Sequence, residues 1–185
     1  MTPILIAGIG NVFNGDDAFG VEVVHRLARR SLPAGVKVID FGIRGIDLTY
    51  ALLDGYRAAV LVDTAQRGEP PGTISVVEPD QEEAGALAPQ DLMLSPHELD
   101  PAKVLRLVTA LGGSCKRVLL VACEPLTFGG EQGVMGLSEP VAAALDAAVA
   151  TVEDLVAELT GVEKAEAQRS IEPKTQPAIQ EGANP

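Results

Sequence analysis

The 185-residue chain is 46% apolar and 3% aromatic, has no tryptophan, and carries a formal net charge of −12. One domain with an aliphatic core is the default at this length. The acidic balance argues against a nucleic acid or an anionic membrane as partner, since both would repel it, and fits a cation site, a basic protein partner or plain solubility.

In chain order, Ile4 to Ala7 is a short apolar run ending at a glycine, which predicts a buried parallel strand. It lacks the basic region of a signal peptide, and no stretch approaches the ~18 apolar residues of a membrane span. A glycine-rich loop, Gly8-Ile9-Gly10-Asn11, follows, and then Asp16 and Asp17 stand where a helix should begin. That helix is expected over residues 18–30, capped by either aspartate and basic in its last turn. Val36 to Gly42 reads as a second strand, with Asp40 near its end, and residues 45–55 as a helix stopped by Gly55. Ala58 to Ala65 reads as a third strand ending in Asp63, and residues 73–78 as a fourth. Residues 79–100 are loop-like and include His97 in "SPHELDP". A helix over 102–113, a fifth strand from Arg117, and a long helix opened by Ser138 with Pro140 in its first turn complete the pattern. Beyond Gly161 the periodic apolar face is lost, which predicts an α/β domain over 1–160 and a disordered tail over 161–185. Strands alternating with helices give an α/β fold, a parallel sheet covered on both faces.

Cys115 and Cys123 flank the fifth strand. Eight extended residues separate them by roughly 26 Å, whereas a disulfide needs Cα atoms within about 7 Å. Two unpaired thiols point to a reducing compartment, hence a cytoplasmic location.

Ligands of open parallel sheets bind beyond the C-terminal strand ends, where the strand order reverses. Asp17, Asp40 and Asp63 all belong at that edge. If the order is 2-1-3, Asp17 and Asp63 flank the reversal point. Carboxylates gathered there repel one another unless a proton or cation joins them. Two aspartates with His97 would form an open three-ligand set suited to nickel, zinc or copper. Structural roles compete with this reading: either aspartate of the pair could cap the helix, Asp63 could serve a turn, and His97 could be a solvated loop residue. His25 lies about 12 Å along the helix from Asp17 and is expected to be structural. Other chemistries lack their residues. Phe13 stands where a dinucleotide fingerprint needs its third glycine, and a phosphate-loop lysine, a G-x-S-x-G elbow and a Cys-x-x-Cys pair are absent.

"GIGNVFNGDDAFG" with "DFGIRG", "VDTA" and "SPHEL" resembles the hydrogenase maturation proteases over about residues 3–160. The resemblance implies a three-layer α/β/α fold on a twisted, mostly parallel five-stranded sheet. It implies an endopeptidase that removes the C-terminal extension of a nickel–iron hydrogenase large-subunit precursor once nickel is inserted, with that nickel as the recognition element. It also implies three metal-contacting residues, here Asp17, Asp63 and His97, and it selects Asp17 over Asp16. Nickel would arrive with the precursor, and zinc or cadmium could occupy the same donors. The loop holding Asp40, Gly42 and Arg44 corresponds to the family's substrate-selection loop. Many relatives carry Gly-Gly-Thr there, so Phe41, Ile43 and Arg44 leave the choice of hydrogenase open. Arg44 either offsets the acidic edge or contacts the precursor. The expected enzyme is a monomer. The alternative is a non-catalytic, metal-dependent binding or chaperone module for a metalloenzyme precursor.

Overall fold

The computed structural model describes residues 3–79, 101–113, 115–130 and 132–161. Its strands are β1 (Ile4–Ile9), β2 (Val36–Gly42), β3 (Ala58–Thr64), β4 (Ile74–Val77) and β5 (Arg117–Cys123). Its helices are α1 (Phe19–Leu27), α2 (Gly45–Leu53), α3 (Pro101–Ala110) and α4 (Glu139–Thr160), with a 3-10 turn at Gly15–Ala18 ahead of α1.

The strands form one sheet in the order β2-β1-β3-β5-β4. β1 pairs parallel with both β2 and β3, and β3 parallel with β5. The chain leaves β1 for β2 on one side and returns to β3 on the other, so the order reverses between β1 and β3. The loops above that point are the place for a site.

Alternation along the strands explains their unbroken apolar character. Ile6, Val60, Val62 and Val121 join a core with residues of α1 and α4. Leu5, Ala7, Ala59, Leu61 and Val118 join a second core with residues of α2 and α3. A strand covered on both faces has no polar side to show. Each fully buried leucine or valine contributes about 1.5–3 kcal/mol, so an aliphatic core suffices without tryptophan. These layers agree with the expected architecture.

Three expectations need correction. β1 continues to Ile9, past the glycine taken as its end, because pairing with β2 persists through a register shift between Gly8 and Ile9. α1 is shorter than expected, and neither aspartate caps it: the residue ahead of it is Ala18, with helical backbone angles and no side-chain cap. β4 runs antiparallel to β5, at the sheet edge. Only residues 65–73 join it to β3, fewer than the dozen or so a parallel crossover needs.

α4 ends at Gly161, whose φ of 68° suits the left-handed cap position. The expected tail over 161–185, apart from Gly161, and the expected loop over 79–100, apart from its first residue, lie outside the described residues. No helix among the described residues is long and apolar enough to cross a membrane. Cys115 and Cys123 are both buried, and no disulfide joins them.

Candidate active site

The glycines after β1 serve close packing. A Cβ at Gly8 would lie 2.5 Å from the Gly20 carbonyl oxygen, and one at Gly20 would lie 2.1 Å from that of Val62. Gly10 has a φ of +133°, and a Cβ there would fall 1.7 Å from the Asp17 carbonyl oxygen. The 3-10 turn and α1 therefore press directly onto β1 and β3, and the loop is shaped by that contact.

This contact sets where Asp17 lies. Its Oδ2 accepts hydrogen bonds from the Asn11 backbone N–H at 3.1 Å and from Asn14 Nδ2 at 3.4 Å. Its Oδ1 lies 3.5 Å from Thr64 Oγ1, which donates to it. Asp17 remains partly exposed, and Thr64 is the residue after Asp63 at the end of β3. Asp63 is 8% exposed, and its Oδ1 accepts from the Thr64 N–H at 2.7 Å. The two aspartates thus meet the same strand end across the point where strand order reverses, and Thr64 stands between them, its hydroxyl donating to Asp17 and its backbone N–H to Asp63.

Asp16 behaves differently. It is fully buried. Its Oδ2 accepts from the Leu126 and Thr127 N–H groups at 2.8 and 3.0 Å and from the Ser138 hydroxyl at 2.9 Å, while its Oδ1 accepts from the Ser138 N–H at 2.6 Å. Burial by itself would raise its pKa, but the bonds from Ser138, Thr127 and Leu126 outweigh it and hold the carboxyl below the ordinary value. Ser138 stands ahead of α4 as expected, yet its hydroxyl serves Asp16 and does not cap the helix. The residue-level ambiguity between Asp16 and Asp17 becomes a division of labour: one carboxylate is consumed by the scaffold, and the other faces the edge.

On the β2 side, Asp40 Oδ2 pairs with His25 Nε2 at 3.0 Å, in a contact open to solvent. Arg44 folds back over its own turn. It donates from Nε to the Phe41 carbonyl at 3.1 Å and from Nη2 to the Asp40 carbonyl, and Nη1 lies 3.6 Å from Asp47 Oδ2. Gly42 has a φ of +54°, and its carbonyl accepts from the Gly10 N–H at 3.0 Å, which joins this turn to the β1 loop. Between the two loops opens a cavity of about 420 Å³, lined by Asn11, Phe13, Phe41, Ile43 and Arg44 among others.

His97 lies outside the described residues. Among the described residues no group of three or more His, Cys, Asp or Glu side chains is spaced to hold a metal. Asp17 and Asp63 supply hard oxygen donors, a set that a nitrogen ligand would complete for a divalent first-row metal. Cys123 ends β5 near this edge. Burial, then the charges of Asp16 and Glu124, push its thiol up to about 12, which favours the protonated form near neutral pH.

Sequence reasoning missed four contributors. Asn11, Asn14 and Thr64 hold Asp17, and the clamp built on Asp16 reaches 110–122 residues along the chain. The asparagines did leave a signal. The Phe13 N–H bonds back to Asn11 Oδ1 at 3.0 Å, the local turn that asparagine favours. The Leu126 and Thr127 N–H partners of Asp16 left none, and Ser138 was read only as the opening of a helix.

The family model described as hydrogenase maturation protease matches residues 21–155. The Hydrogenase 2 maturation protease of Escherichia coli (strain K12) is 30% identical over 150 residues, covering 80% of this chain and 87% of that protein. The hydrogenase expression/formation protein HupM of Azotobacter chroococcum mcd 1 is 34% identical over 159 residues, covering 84% and 72%. The crystal structure of a hydrogenase 2 maturation peptidase from Thaumarchaeota archaeon SCGC_AB-539-E09 superposes with a TM-score of 0.61 at 32% identity, covering 88% of this chain and all of that one. With the sheet, the edge and the relatives in agreement, the chain belongs to the hydrogenase maturation protease family, peptide hydrolases that process the large-subunit precursor of a hydrogenase.

Proposed function

We propose that this endopeptidase removes the C-terminal extension of a nickel–iron hydrogenase large-subunit precursor after nickel insertion, and that Asp17, Asp63 and His97 contact the nickel the precursor carries. The observation that supports this best is the convergence of Asp17 and Asp63 on one strand end, with Thr64 between them. Bound there, the nickel supplies a fixed cation against which one peptide bond is presented. The same donors suit zinc or cadmium.

Asp17 is prepared for this role. Asn11 and Asn14 fix one carboxylate oxygen, while among the described residues the other is held only by a long bond from the Thr64 hydroxyl. Asp63 is oriented by the Thr64 N–H. A carboxylate at this edge accepts a proton from the attacking water as oxygen bonds to the scissile carbonyl carbon. The carbon–nitrogen bond then breaks, and the proton passes to the leaving amine. No covalent nucleophile is required, which fits the protonated Cys123 thiol. The loop of Asp40, Gly42 and Arg44 selects the precursor through the adjoining cavity. The enzyme acts as a monomer in the cytoplasm.

The test is the mass of purified nickel-loaded precursor after incubation with wild type and with His97→Ala, beside nickel-free precursor. The expected result is a C-terminally shortened product with wild type and nickel only. Equal cleavage of the nickel-free precursor would overturn the recognition role of nickel. Binding without any mass loss would instead support a chaperone module.

A further inference from the structure

Residues 124–130 and 132–138, between β5 and α4, combine exposed apolar side chains with a fastened backbone. Leu126, Phe128, Val134 and Met135 all face solvent, Met135 at 74% exposure, and Phe13 joins them from the β1 loop at 62%. An exposed apolar loop rich in glycine should be mobile, because nothing buries its side chains. This one is fastened at the backbone. Asp16 takes the N–H groups at its start and end. The Gly15 N–H donates to the Val134 carbonyl at 2.7 Å, and the Val134 N–H to the Phe13 carbonyl at 2.9 Å. The Gly129 N–H donates to Asn14 Oδ1 at 3.0 Å. The glycines permit this embrace: a Cβ at Gly133 would lie 2.8 Å from the Phe13 carbonyl oxygen.

Fixing a loop costs backbone entropy. Leu137 packs against the α1 and α4 core, but Leu126, Phe128, Val134 and Met135 bury little to offset that cost, so the fixed element is the apolar surface they form. Preorganised apolar side chains at a surface mark a contact with another chain. We infer that Phe13, Leu126, Phe128, Val134 and Met135 form a rigid docking surface for the apolar surface of the large-subunit precursor beside its cleavage site. This rests on the protease reading above.

Two observations choose that occupant. The surface is continuous with the edge where the established peptidase reaction must engage its substrate, since Phe13, Asn14, Gly15, Asp16 and Asp17 are one stretch of chain. The five apolar residues bring no charge of their own, so their complement is apolar, while the −12 of the whole chain disfavours an anionic surface. The clamp thereby fixes the docking surface and Asp17 as one body, so that docking sets the distance from the precursor's body to the carboxylate.

The test compares cleavage of the nickel-loaded precursor by wild type, by the double variant Phe13→Ser with Met135→Ser, and by Leu111→Ser. Leu111 is an exposed apolar control at the opposite end of the sheet. The expected result is a KM raised about tenfold or more in the double variant with kcat kept, and no change in the control. An unchanged KM in the double variant, with wild type active, overturns the docking surface and leaves the protease reading standing. A dimeric wild type that the double variant makes monomeric, with KM unchanged, assigns the surface to a second copy and overturns the proposal. No cleavage by wild type overturns the protease reading and this inference with it. Loss of fold is checked by circular dichroism. If the double variant unfolds, the single Met135→Ser carries the same KM criterion.

Discussion

The two sides of the sheet's C-terminal edge use carboxylates in opposite ways. On the β5 side, Asp16 is buried and surrounded by four donors from the 124–138 loop. On the β2 side, Asp40 is half-buried and pairs with His25 in a contact open to solvent, while Arg44 closes its turn from the outside. The difference teaches what a carboxylate does at a strand end. Buried and satisfied by N–H groups, it welds loops together. Open to water, it contributes little stability. Asp17 lies between these extremes, half fixed and half available.

The largest expected effect concerns that intermediate group. Asp17→Asn or Asp63→Asn should lower kcat for precursor cleavage by about 10²–10⁴-fold, while urea midpoints stay near wild type. A large loss of stability would move Asp17 into the scaffold class of Asp16 and erase the contrast.

Next is Asp16→Ala, which strands buried donors and should cost about 2–5 kcal/mol in urea unfolding. Its pH dependence sharpens the point. The folded-state pKa of Asp16 is lowered, so its contribution is complete above the ordinary value of 3.8 and is lost as pH falls through the lower folded-state value. The stability gap between wild type and Asp16→Asn should therefore narrow only in acid, below about pH 4. A gap that is constant from pH 7 to pH 2 would mean the carboxylate charge is irrelevant to the clamp.

Arg44→Ala should change stability by less than about 1 kcal/mol, since its ion pair is exposed, but raise KM several-fold. Equal KM values would remove Arg44 from selection and leave it as a turn closure. The smallest effect belongs to His25→Ala, within about 0.5 kcal/mol and sensitive to salt. A cost matching that of Asp16→Ala would abolish the distinction between the two sides.

Much of this was legible beforehand. The apolar runs gave the five strands because a strand buried on both faces leaves a continuous signal. Gly55 and Gly161 marked helix ends for a local steric reason. The strand pattern placed Asp17 and Asp63 at one sheet edge because it located the strand ends, and the family motif then selected Asp17 over Asp16. Less legible were events between distant segments. The antiparallel course of β4 depends on connection length and a free edge at β5. Capping was misread because the 3-10 turn, not a helix, carries the aspartates, and the contact of Gly10 with the Asp17 backbone forces that turn.

By itself, then, the sequence determined the elements, the layered α/β class and the strand-end placement of the acidic residues, all properties of local pattern and period. Only the tertiary structure decided which of two adjacent aspartates is sealed inside. That choice is made by N–H groups at Leu126, Thr127 and Ser138. Every residue but proline offers the same N–H, so no residue type in the chain announces them; they become partners of Asp16 only when the fold brings them within 3 Å.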